Sequence, residues 1–322
     1  MNDNVRNLLL ETIREKIPQG KSVSAYLSET LNIGRESVYR RIRGEINFTF
    51  DEIAALSQKL GFSVDNLIGQ KKSENALFNI HMLQNSDYFD IYVNKMKEYG
   101  AMFREMYDLS NTKVLASVNT LPYFFYIKYE HFSRFRIYKW LYQNQKISSN
   151  SKFADLTLPE NVLKTHDEFY QDVQKIPNIT IIMDDNIFWS AAKDMKYFLQ
   201  RGLLSEDDIM VLRGEMFDML ETIEQIATEG VNRNGVKVLL YVCAIDLEAS
   251  YMHVEYGDNE FSQVRIFSIS AIDSYNKGLC KIQKEWIESL KKFSVLISKS
   301  GEMQRFEYLN KQYEYINRIL ET

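Results

Sequence analysis

Nine residues near the N-terminus, RESVYRRIR at 35–43, hold four arginines and one glutamate, a local charge of +3. A guanidinium is a rigid fork of N–H donors that is always charged, and it suits planar acceptors such as carboxylates, phosphates and the edge of guanine. At helical spacing Arg35, Glu36, Tyr39, Arg40 and Arg43 share one polar face, while Val38 falls on the opposite side. Charge runs of this kind are usually solvated faces, so the meaning of this one depends on the elements around it.

Other groups with chemical potential are weaker. Asp184-Asp185 follow an apolar run and could hold Mg²⁺, but two acids there also cap a following helix. Asp207-Asp208 after Ser205 read as a cap of the same kind. His81, His131, His166 and His253 show no metal-ligand spacing, and none neighbours a cysteine in sequence. Neither a phosphate-binding glycine loop nor a GxSxG elbow is present. The expectation is therefore no catalytic residue, no metal and no cofactor.

The arginine run lies within a series of short helical patterns. Residues 5–17 have apolar positions at helical spacing, and Pro18-Gln19-Gly20 stops them. Ser22 caps a helix over 23–31, Asn32-Ile33-Gly34 is a turn, and 35–43 forms a third helix closed by Gly44. Thr49 and Glu52 make a capping box for a fourth helix ending at Leu60, and Ser63 caps a fifth over 64–68. The polar stretch around 70–76 reads as a linker. The expected domains are thus 1–69 and 77–322.

The larger part reads as α+β, mostly helical with an antiparallel sheet. Helices are expected at about 77–109, 121–145, 159–174, 186–201, 205–229, 275–298 and 302–320. Strands are expected at 178–183, 236–246, 249–256 and 263–270, the last three joined by hairpins at Leu247-Glu248 and at 257–260.

Bulk numbers fit a two-domain globular chain of 322 residues, rich in aromatics with 3 Trp, 20 Tyr and 19 Phe. The net charge is −5, yet residues 1–72 hold 11 Lys+Arg against 9 Asp+Glu, so the acidity resides in the remainder. A mildly basic end can meet phosphate while an acidic body avoids it. The N-terminus lacks the apolar core and cleavage site of a secretory leader, no run is long enough to span a membrane, and Cys243 and Cys280 read as buried free thiols. A cytoplasmic location is expected.

The segment 23–69 resembles the phage-repressor-like, or XRE, helix-turn-helix family. Leu27, Leu31, Ile33, Val38, Ile53, Leu56, Leu60, Val64 and Leu67 match its apolar positions, and residues 60–67 copy its ending. The resemblance implies a five-helix all-α domain and a transcriptional regulator that places helix three in the major groove of double-stranded DNA. It implies base contacts from Arg35, Glu36, Tyr39 and Arg40, and phosphate contacts from Ser24, Ser37, Arg41 and Arg43. The chain departs from the family at Asn32, where the family usually has glycine, and at Arg41, where it usually has an apolar residue.

One helix-turn-helix unit covers little DNA, so a homodimer is expected. Phe89, Tyr92, Met96, Tyr99, Phe103 and Met106 form a heptad-like seam, as do Phe306, Leu309, Tyr313, Ile316 and Leu320. Each seam serves either a partner copy or its own domain. A pocket for an unidentified small-molecule effector is a further expectation, with Trp140, Trp189 and Trp286 either lining it or filling a core. The alternatives are a protein-interaction module on a scaffold, or an enzyme with a DNA-targeting domain.

Overall fold

A computed structural model describes residues 3–17, 20–62, 64, 76, 78–81, 88–109, 111–266 and 269–319. The chain divides into two compact units, Met1–Leu77 and Phe78–Thr322.

The first unit has four described helices, α1 (Asp3–Lys16), α2 (Val23–Leu31), α3 (Arg35–Arg43) and α4 (Phe50–Leu60). Local chemistry sets their ends. The Ser22 side chain accepts from Ala25 N at 3.3 Å to start α2, and Asn32 takes a left-handed conformation (φ 50°) to stop it. Thr49 and Glu52 form the reciprocal capping box that starts α4. Gly44 ends α3 at φ 83°, a left-handed conformation that favours glycine, and the Arg6 guanidinium lies in the space a Cβ would take. Leu9, Leu10, Ile13, Leu27, Val38, Phe48, Leu56 and Phe62 form the buried core. The expected fifth helix over 64–68 and the linker lie, but for residues 64 and 76, outside the described residues.

The second unit is α+β. Its described elements are β1 (Asn79–His81), α5 (Tyr88–Glu105), β2 (Lys113–Val118), α6 (Tyr123–Tyr126), α7 (Glu130–Gln143), α8 (Glu160–Val173), β3 (Ile179–Asp184), α9 (Ile187–Gln200), α10 (Glu206–Glu229), β4 (Val238–Cys243), β5 (Tyr251–Tyr256), β6 (Asn259–Ile266), β7 (Ser270–Ser274), α11 (Lys277–Leu290), β8 (Ser294–Leu296) and α12 (Glu302–Asn317). The strands form one sheet in the order β1-β7-β6-β5-β2-β3-β4-β8. β2, β3 and β4 are parallel neighbours, and the remaining pairings are antiparallel. The two parallel crossovers step the same way across the sheet, so their handedness sends the connecting helices to one face. On that face Val114, Ala116, Ile181 and Leu240 join the large core with α5, α8, α10 and α12. Alternate residues Leu115, Ile182 and Cys243 face the other way and pack with Ile287 and Leu290 of α11.

The sheet corrects several local expectations. It is mixed, where an antiparallel sheet was expected. The segment expected as one helix over 77–109 contains β1, which pairs with β7, before α5 begins. Similarly, α11 stops at Leu290 and the chain continues into β8, which adds to the open edge of β4. In both places a sheet edge overrides a local helical period. Leu247-Glu248 is no hairpin, because β2 and β3 stand between β4 and β5. The second expected hairpin is formed, with Gly257 at φ 54° in the tight connection between β5 and β6. The last expected strand, 263–270, resolves into β6 and β7.

Both heptad-like seams turn inward. Tyr92, Met96, Phe103 and Met106 are buried in the core of their own unit, as are Leu309 and Ile316, whereas Phe306 is exposed and Leu320 lies outside the described residues. Cys243 and Cys280 are buried free thiols. Among the described residues no helix is long and apolar enough to cross a membrane.

Candidate nucleic-acid interface

The turn between α2 and α3 is tied by the Ser28 hydroxyl, which donates to the Ile33 carbonyl at 2.7 Å. Leu27 and Val38, both wholly buried, pin the two helices to the core. Val38 is the only residue of α3 in the buried class, and Ile42 packs partly buried beside it. The opposite stripe presents Arg35, Glu36, Tyr39, Arg40 and Arg43, all exposed. Tyr39 is 43% exposed, unusual for a ring that has a core available nearby. The four residues expected to read bases therefore share one accessible surface.

The residues expected at phosphates divide. Ser24 stands in the first turn of α2, 3.4 Å from the Ser22 hydroxyl, and Ser37 is partly buried on α3. Arg43 is exposed but held by Glu45 at 2.7 Å, with Glu36 at 3.6 Å. These contacts raise the Arg43 pKa, chiefly through the hydrogen bond to Glu45, and lower that of Glu45. Arg40 also approaches Glu45, at 3.4 Å. Among the described residues, Arg35 is the one arginine of α3 without an ion pair.

Arg41 has a different task from the phosphate contact expected of it. Its Nε and Nη2 donate to the two oxygens of Glu52 at 3.0 and 2.7 Å, and its Nη1 donates to the Ser37 carbonyl at 3.2 Å. Its side chain is only 13% exposed. Glu52 also accepts from Thr49 N in the capping box, so this one carboxylate ties the end of α3 to the start of α4. Burial alone would raise the Glu52 pKa, but the Arg41 fork and the Thr49 backbone outweigh it and lower the value. The bidentate pairing occupies the guanidinium, which explains how a charged residue is accommodated at the edge of this core.

The other acidic candidates are also committed. Asp184 is buried and accepts from Asn186 N and Leu247 N, both at 2.8 Å. Asp185 pairs with Lys311. Asp208 completes a capping box with Ser205. Each of these three carboxylates is engaged by a partner within its own unit.

Sequence spacing missed one grouping. His253 on β5, Glu260 on β6 and Cys280 on α11 place their donor atoms within 4.8 Å of one another, the one group of potential metal ligands among the described residues. His253 donates or accepts through Nδ1 with Ser262 at 3.1 Å, and its buried Nε2 has no hydrogen-bond partner. Nitrogen, carboxylate and sulfur donors are those zinc takes, although ligand atoms around tetrahedral zinc stand roughly 3.5 Å apart, given its bond lengths of ~2.0–2.3 Å. Lys284, paired with Glu255 beside His253, already supplies a cation there. The 26 residues of chain between His253 and Cys280 hid this grouping; the signal that could have found it is the β5–β6 hairpin, which sets His253 opposite Ser262.

Comparison of the chain with family models, with curated proteins and with solved structures gave no match.

Proposed function

We propose that this protein is a sequence-specific DNA-binding transcriptional regulator whose helix α3 enters the major groove. The observation that carries the reading is the exposed stripe of Arg35, Glu36, Tyr39, Arg40 and Arg43 on a helix anchored from behind by Val38. Arg35 and Arg40 donate to guanine edges, Glu36 accepts from cytosine, and Tyr39 packs against the base edges between them. Arg43, Ser24 and Ser37 set the register on the phosphates, and Arg41 braces the helix instead. The N-terminal amides of α2 add donors for one phosphate.

The carboxylates of Glu36 and Glu45 have a place in this reading. Exposed ion pairs are weak, so a phosphate can displace Glu45 from Arg43 and a guanine edge can displace it from Arg40. A single helix reads few base pairs, and the protein accordingly binds as a homodimer on two half-sites. The α5 seam is buried in its own unit, so another surface joins the copies.

Selection of bound fragments from a random DNA pool by the full chain tests this. Enrichment of one two-fold-related motif is expected. A pool that remains unenriched over successive rounds refutes it. A protein-interaction module predicts the second outcome, together with binding insensitive to salt.

A further inference from the structure

A cavity of about 580 Å³ lies between α5 and one face of the sheet. Small-molecule sites generally occupy ~300–1,000 Å³ and combine apolar walls with a few fixed polar groups. Met96 and Phe103 of α5, Ala116 of β2, Phe169 of α8 and Ile181 of β3 supply the apolar wall. The small side chain of Ala116 leaves space at the centre of the sheet. None of the three tryptophans lines this cavity; Trp140 is buried in the core, and Trp189 and Trp286 are 43% and 41% exposed.

Two polar groups reach the cavity from alternate positions of β6, Gln263 and Arg265. At the first, the chemistry is internally complete. Tyr99 donates to the Asp273 carboxylate at 2.8 and 2.9 Å, and Gln263 donates to both the Tyr99 hydroxyl and Asp273.

Arg265 is different. Its Nη1 donates to the Thr120 hydroxyl at 3.0 Å and the Leu121 carbonyl at 3.4 Å, and its guanidinium lies 5.6 Å from the centre of the Tyr123 ring. All three partners are neutral, and Nε and Nη2 have no hydrogen-bond partner among the described residues. Burial lowers the Arg265 pKa, and the nearby cation Arg136 acts in the same direction against the raising effect of Tyr126 and Tyr123. Arg265 also borders a polar cleft that includes Asn119, Arg136 and Glu248, yet it makes no ion pair there among the described residues. A partly buried guanidinium beside a second cation carries a desolvation cost that a counter-charge would offset.

We propose that this cavity binds an apolar monocarboxylate, a medium-chain fatty acid or an arylalkanoate of similar volume, with its carboxylate on Arg265 and its hydrocarbon against Met96, Phe103, Ala116 and Phe169. Two coplanar oxygens match the free edge of the guanidinium fork; Lys95, which also lines the cavity, is already paired with Glu98, so one negative charge balances Arg265. A neutral apolar guest would leave Arg265 without a counter-charge, and a wholly polar anion would leave the apolar wall hydrated. The assignment is independent of the DNA-binding reading, because it is tested by direct binding to the full chain without DNA.

Calorimetric titration with decanoate and with decanol, each below its aggregation limit, is the test. Wild type binds decanoate at least about tenfold more tightly than decanol, as a hydrogen-bonded charge requires. Arg265→Gln reduces decanoate binding to the level of decanol. Ala116→Phe, which fills the cavity while retaining Arg265, weakens both. Circular dichroism and thermal melting check that each variant is folded; should Arg265→Gln fail to fold, the wild-type preference and Ala116→Phe still decide. The proposal is overturned if no carboxylate from hexanoate to tetradecanoate binds wild type, if decanol binds as tightly as decanoate, or if a folded Arg265→Gln keeps the preference.

Discussion

On α3, Arg40, Arg41 and Arg43 all lie within ion-pair distance of carboxylates from their own unit, whereas Arg265, in the wall of the second unit's cavity, meets two neutral oxygens and an aromatic ring. The contrast separates two ways of keeping a cation ready. An exposed pair such as Arg43–Glu45 is screened by water, so its partner is exchangeable and a phosphate competes on nearly equal terms. A partly buried guanidinium draws less on bulk water than an exposed one, so its environment favours an anion that brings its own apolar shield. Arg41 marks the boundary between the two cases, because its pair is enclosed enough to have become part of the scaffold.

The contrast in charge handling can be broken most forcefully at His166. This residue is 3% exposed and bonded to the Tyr92 hydroxyl at 3.0 Å, and burial pushes its pKa down to about 4. The unfolded chain, with a value near ~6.5, takes up the proton first. The stabilisation is therefore complete above about pH 6.5 and is lost as pH falls toward 4, about 3 kcal/mol in all. All three tryptophans belong to the second unit, so denaturant melts followed by tryptophan fluorescence report on it alone. His166→Gln should reduce this slope, to which the buried His253 also contributes; an unchanged slope would mean that the His166 imidazole is not held neutral.

Glu52→Ala comes next. It removes both the partner of Arg41 and half of the α4 capping box, at a cost of about 1–3 kcal/mol to the first unit. Hydrogen exchange of the α3 and α4 amides would show it. Because the folded Glu52 pKa is lowered, its contribution is present above the unfolded value of ~4.3 and disappears as pH falls through the folded one. The share of stability that His166 carries should therefore begin to fall at a higher pH than the share that Glu52 carries, while Glu255 and Glu288 add a carboxylate window to the second unit as well. Wild-type-minus-variant differences for His166→Gln and Glu52→Ala that fall in one and the same window would contradict the assignment.

Smaller effects test whether the exposed arginines are available. Arg35→Ala and Arg40→Ala should each cost about 1–3 kcal/mol of discrimination between the selected site and a scrambled one in gel-shift titrations. Smallest of all, Glu45→Gln should leave folding unchanged and tighten DNA binding roughly twofold to fourfold at low salt, since it frees Arg43 and Arg40 from a competing carboxylate. Weaker binding by this variant would show that the pairs orient the arginines.

The first unit was legible because its helix ends are written locally. Ser22, Asn32, Gly44, Thr49 with Glu52, and Gly61 each act within a few residues, and α2 to α4 begin and end accordingly. The pairing of Arg41 with Glu52 was not legible, since a helical wheel shows a face and not what another helix brings to it. In the second unit, β2 escaped notice because Ala116 and Ser117 interrupt its apolar run, whereas the equally buried β3 reads Ile-Thr-Ile-Ile-Met. β1 and β8 are three residues long and exist through the edges they join. The heptad-like spacing of α5 was real, but spacing cannot say whether a partner copy or the chain's own sheet receives it. The cavity was hidden for a similar reason: aromatic residues that line a space and those that fill one have the same composition.

The central claim is that α3 reads DNA, and the salt dependence of binding to selected and scrambled duplexes tests it most directly. Wild type should prefer the selected site, with affinity falling steeply as salt rises, by about 0.9 in slope for each phosphate contacted. An Arg35→Ala/Arg40→Ala double variant should bind both duplexes equally while remaining strongly salt-dependent. A double variant that still prefers the selected duplex, or wild-type binding that does not respond to salt, would contradict the account.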